Sequence, residues 1–95
     1  MDGTERHCYL IMYDLCGVGK DYESLISAIK NNESWGHLTK STWAVVSHKT
    51  ATEIRDELRH FMDQKDRLIV VRSGRAAAWS NCLASNSWIH DNIIL

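Results

Sequence analysis

The sequence predicts an α+β domain, a split β-α-β arrangement in the order β-α-β-β-α-β followed by a C-terminal extension. Three observations predict it. Residues 8–15 form an apolar run too short for a comfortable helix, two segments carry apolar residues at helical spacing, and residues 36–47 between those segments are β-rich.

The first run, Cys8-Tyr9-Leu10-Ile11-Met12-Tyr13-Asp14-Leu15, is apolar on both of its period-two faces, as a central strand requires. Tyr22, Leu25, Ile26 and Ile29 then recur at i, i+3, i+4 and i+7, which predicts a helix over about 22–31 that ends at Asn31-Asn32. Residues 36–47 read as a hairpin or one kinked strand, with Lys40-Ser41 as the bend. Thr50-Ala51-Thr52-Glu53 matches a capping box ahead of Ile54, Leu58, Phe61 and Met62, and so predicts a second helix. Leu68-Ile69-Val70-Val71 is a continuous apolar run, read as a strand covered on both sides or lying centrally. A short amphipathic helix is expected near 87–93, capped by Ser85 or Asn86.

At 95 residues and 44% hydrophobic content, the chain is expected to form one domain over 1–95, with a core at about 7–72 and a tail at 73–95 packing on the sheet or on a partner. A formal net charge of −1 gives no global basic field, so any RNA or DNA contact must come from a local patch. Cys8, Cys16 and Cys82 are odd in number and widely spaced, which argues for a reducing, cytoplasmic setting and against paired-cysteine zinc. No stretch reaches the length of a membrane span, and residues 1–6 have neither the charge nor the apolar run of a signal peptide.

Two strand-helix-strand units around one antiparallel sheet give a ferredoxin-like sandwich with both helices on one face. The other face must then be covered by the tail, a second subunit or a ligand, and a homodimer packing sheet against sheet is the economical expectation.

Tyr13-Asp14 ending the first strand, Ser41-Thr42-Trp43 in the middle β segment and the closing Leu68-Ile69-Val70-Val71 resemble the CRISPR-associated adaptation nuclease superfamily of small dimeric ferredoxin-fold proteins. Within it the chain is most similar to the SinR-like family, with Ala77-Ala78-Trp79 adding to that likeness, and more remotely to VapD-type toxins. The resemblance implies a divalent-metal-dependent endoribonuclease or nucleic-acid-binding protein. It implies that Asp14 is the catalytic, metal-binding residue, that Mg2+ or Mn2+ is shared between two copies, and that the family's serine corresponds to Ser41 or Thr42. Where CRISPR members have an arginine-rich start to the first helix, this chain has Lys20-Asp21-Tyr22-Glu23. A non-catalytic dimeric binding or assembly module on the same fold is the alternative.

A carboxylate at the end of a buried strand needs a compensating partner. For Asp14 that is either a cation or an Asx-type turn accepting N–H bonds from Gly17 or Val18. The stretch Gly17-Val18-Gly19-Lys20 invites a phosphate-loop reading, but the full pattern needs Gly where Asp14 stands and Ser or Thr where Asp21 stands, so no nucleotide cofactor is expected. His7, His37, His48, His60 and His90 form no close ligand pair, so no zinc is expected either, although His37 and His48 flank the middle β segment. Lys20, Lys40, Lys49, Arg72 and Arg75 are the candidates for phosphate contact. The tryptophans and tyrosines either stack bases or fill the core and the interface between copies, Trp43 and Trp79 being the expected interface members.

Overall fold

The computed structural model describes residues 5–17 and 22–94. Its elements are β1 (His7–Asp14), α1 (Glu23–Lys30), β2 (Ser34–Thr39), β3 (Thr42–Ser47), α2 (Ala51–Arg59), β4 (Arg67–Arg72) and α3 (Asn86–Asn92). The four strands form one antiparallel sheet in the order β2-β3-β1-β4, so the architecture is α+β and compatible with a small ferredoxin-like fold. None of the described helices is long and apolar enough to cross a membrane.

Local chemistry sets the boundaries. At the start of α2 the Thr50 hydroxyl accepts the Glu53 N–H at 3.1 Å while the Glu53 carboxylate accepts the Thr50 N–H at 2.9 Å, satisfying two donors that the first helical turn leaves free. The Asn32 amide donates to the Ile29 carbonyl at 2.8 Å and closes off α1. Ser85 caps α3, its Oγ accepting the Trp88 N–H at 3.1 Å. Lys40 and Ser41 make the turn between β2 and β3.

Period-two alternation divides the sheet into two faces. Tyr9 and Ile11 of β1 and Trp43 and Val45 of β3 are buried with Leu25 and Ile29 of α1 and Ile54 and Leu58 of α2. Burying each such aliphatic side chain contributes about 1.5–3 kcal/mol, and this layer is the main core. The opposite face packs Cys8 of β1 and Ala44 of β3 against Ile89 of α3 and the neighbouring Ile93, with Leu10, Leu38, Trp79 and Trp88 around them. The tail thus covers the second face over β2, β3 and the start of β1.

That cover stops short of β4. The last strand is neither central nor covered on both faces, contrary to what its apolar run predicts; β4 is an edge strand. Leu68 and Val70 pack into the helical core, whereas Ile69 and Val71 on the other face remain 52% and 36% exposed. Four consecutive apolar residues do not distinguish a strand with two covered faces from one with a single covered face.

Candidate functional site

The carboxyl end of β1, the β2–β3 turn and the amino end of β4 lie at one end of the sheet. Met12 pairs with Thr42, the Tyr13 N–H donates to the Ser41 carbonyl at 3.1 Å, and Asp14 pairs with Arg67. The fold therefore brings Asp14, Ser41, Thr42 and Lys40 together. It separates them from Arg72, which opposes Tyr9 near the other end of β1, five strand residues or roughly 17 Å from Arg67. Arg75 is exposed and follows Arg72 outside β4. Lys20, with Val18, Gly19 and Asp21, lies outside the described residues.

Asp14 is partnered by a cation. Its Oδ2 accepts from Arg67 Nη1 at 2.9 Å, and both side chains are largely exposed, so the pair contributes at most about 1 kcal/mol. The expected turn bond from Gly17 is absent because that N–H donates to the Tyr22 hydroxyl at 3.0 Å. Asp14 faces away from α1 and α2, on the same side of the sheet as Met12, Ile69 and Arg67, which directs it to its cross-strand neighbour.

The carboxylate that holds the β1–α1 loop is Asp66, which sequence reasoning missed. It is 6% exposed and accepts the Cys16 N–H at 2.7 Å, the Tyr22 hydroxyl at 2.9 Å and the Asp63 N–H at 2.7 Å. Arg59 reinforces the turn from α2, its guanidinium donating to the carbonyls of Asp66 and Asp63 at 3.0 and 3.2 Å. Desolvation, followed by the bond to Asp66, pushes the Tyr22 phenol above its ordinary value. The Asp66 partners come from residues 16, 22 and 63, a set with no sequence spacing to reveal it.

The expected interface tryptophans occupy different places. Trp43 is 3% exposed in the chain's own helical core, its indole N–H donating to the Tyr13 hydroxyl at 3.0 Å. Trp79 packs beside the α3 layer and donates to the Asn86 side-chain oxygen at 3.1 Å. The open apolar surface next to Asp14 is instead formed by Met12, Ile69 and Val71.

Among the described residues no group of three or more His, Cys, Asp or Glu side chains could hold a metal ion. A hard cation such as Mg2+ accepts one or two carboxylates with water and phosphate in the remaining positions. Among the described residues Asp14 belongs to no such group, and its carboxylate is paired with Arg67. Comparison with family models, curated proteins and solved structures finds no match to this chain.

Proposed function

We propose that this chain is a ferredoxin-like protein of SinR-like kind that acts as a homodimeric binding or assembly module, two copies meeting through the open half of the sheet. One observation carries the reading: the tail covers β2, β3 and the start of β1 but leaves Ile69 and Val71 exposed beside Met12. A contiguous apolar patch at a sheet surface is stabilised by a partner. The rim can be self-complementary, because a two-fold axis parallel to the strands between β1 and β4 would set Asp14 of one copy near Arg67 of the other. Face-to-face stacking is favoured over edge pairing. Joining two β4 strands antiparallel about their middle would place Arg67 opposite Arg72, and like charges directly opposed destabilise a ladder.

The test is solution mass. Sedimentation equilibrium at micromolar concentration should give twice the chain mass of 10.9 kDa for the wild type and a single chain mass for Ile69→Asp, with unchanged circular dichroism. A monomeric wild type removes the proposal.

A second reading, a divalent-metal-dependent endoribonuclease, is favoured by the exposure of Asp14 beside the same open patch, with Ser41 and Thr42 at the adjoining turn. In this reading the Asp14 carboxylates of two copies hold Mg2+ or Mn2+, which supplies charge stabilisation for phosphodiester cleavage when bound. Asp14→Asn should then abolish Mg2+-dependent cleavage of RNA while the mass stays dimeric and stability falls by less than about 1 kcal/mol. Cleavage equal to wild type excludes Asp14 from the chemistry.

A further inference from the structure

The outer edge of β2, across the sheet from β4, carries an aromatic and cationic surface that the proposed dimer does not use. Trp35 and His37 lie on the helical side of β2 and lean on the buried Trp43. The His37 ring stacks on it at 4.0 Å with an interplanar angle of 10°, and the Trp35 ring lies 5.6 Å from it. Trp35 is 41% exposed. Lys30, at the end of α1, holds its ammonium 4.8 Å from the Trp35 ring centroid. At the other end of the strand, the His37 ring Nε2 donates to the Lys40 carbonyl at 3.3 Å, fixing the turn that carries the Lys40 side chain. Lys30 and Lys40 are exposed and have no acidic partner among the described residues.

Alongside runs a cleft of about 230 Å3 lined by Trp35, Gly36, His37, Leu83, Ser85 and Trp88. Its walls are set by the tail. The Leu83 N–H donates to the Leu38 carbonyl at 3.0 Å, and the Trp88 indole donates to Ser34 Oγ at 2.9 Å. The cleft is smaller than a drug-sized pocket, and its tail side is formed by Leu83, Ser85 and Trp88, on the face of β2 opposite to the Trp35 and His37 rings.

We propose that this edge is a stacking site for single-stranded nucleic acid, one base stacking on the exposed Trp35 ring and flanking phosphates meeting Lys30 and Lys40. Aromatic platforms beside cations are the general means of holding single strands without reading sequence. A polynucleotide fits better than a mononucleotide because the cations stand at opposite ends of the platform, with Trp35 and Lys40 five residues or roughly 16 Å of strand apart. A duplex does not fit, since its bases are paired and stacked within the helix. The site goes beyond the dimer reading and does not depend on it.

The test is fluorescence anisotropy of a labelled 12-nucleotide oligouridylate. Trp35→Ala should weaken binding about tenfold and Trp35→Phe much less, because the ring rather than the indole N–H supplies the stacking. Lys30→Gln and Lys40→Gln, on exposed side chains, should each lower the slope of log affinity against log salt by about 0.7. Ile69→Asp should bind as the wild type does, which separates this site from the proposed dimer. The inference is overturned by a wild type that does not bind, by affinity indifferent to Trp35→Ala and both lysine changes, by loss of binding in Ile69→Asp, or by uridine monophosphate competing as strongly as the oligomer.

Discussion

Asp14 and Asp66 flank the same cross-strand partner, since Asp14 pairs with Arg67 and Asp66 precedes it, yet their surroundings assign them opposite roles. Asp14 is solvated and ion-paired, so changing it should barely affect the fold and any effect reports on function. Asp66 is desolvated and bonded to Cys16, Tyr22 and Asp63, so it ties the β1–α1 loop to the α2–β4 loop. The Tyr22 phenol is part of that tie, and its ionisation gives an expected pH dependence. Its native pKa is raised above the ordinary value of 10.0, so its contribution is complete below pH 10, where the unfolded chain is also protonated. Above pH 10 the unfolded phenol ionises first, and the contribution is lost as pH rises through the native pKa. Urea unfolding should therefore show a stability gap between wild type and Tyr22→Phe that is constant below pH 10 and narrows above it. A gap that widens above pH 10 contradicts the assignment. At this scale the sequence revealed Asp14 through its position at the end of an apolar run. Asp66 stayed hidden because two of the three groups its carboxylate accepts from, Cys16 and Tyr22, are distant in the chain.

At the scale of elements, the tail shows how one glycine decides a packing. A Cβ at Gly36 would lie 2.7 Å from two ring atoms of Trp88, so the bare backbone of β2 is what lets the indole lie flat on the sheet. Trp88 has little freedom to retreat, held by its bond to Ser34 and by the short helix α3. Gly36→Ala should cost about 1–3 kcal/mol, as overpacking does, and urea unfolding measures it. Unchanged stability would mean that α3 is not seated on Gly36. Elements governed by local chemistry were legible in advance: the α2 capping box, the Lys40-Ser41 turn and the Asn31-Asn32 end of α1 are all set by residues within a few positions of one another. The edge position of β4 was not. Ile69 and Val71 have the composition of buried strand residues, and their exposure follows from where the tail ends, which is a tertiary fact.

The whole molecule is a sheet with one face roofed by two helices and the other roofed by the tail over half its width. The sequence raised three ways to cover that second face: the tail, a second copy or a ligand. The tail takes the β2–β3 side, and the proposed second copy takes the β1–β4 side, so the two answers divide the surface between them. The arrangement also separates the proposed roles, with self-association and Asp14 at the β4 side and the stacking site at the β2 edge. Of the candidates for phosphate contact, Lys40 and Arg72 lie at opposite ends of the sheet, because the strand length holds Arg72 away from the turn, while Lys49 follows the end of β3 on the Arg72 side. The measurement that bears most directly on the account is sedimentation equilibrium of the wild type beside Ile69→Asp. The account predicts a dimer that the aspartate splits into folded monomers. A wild type that remains at 10.9 kDa at micromolar concentration, or an Ile69→Asp dimer as tight as wild type, contradicts it.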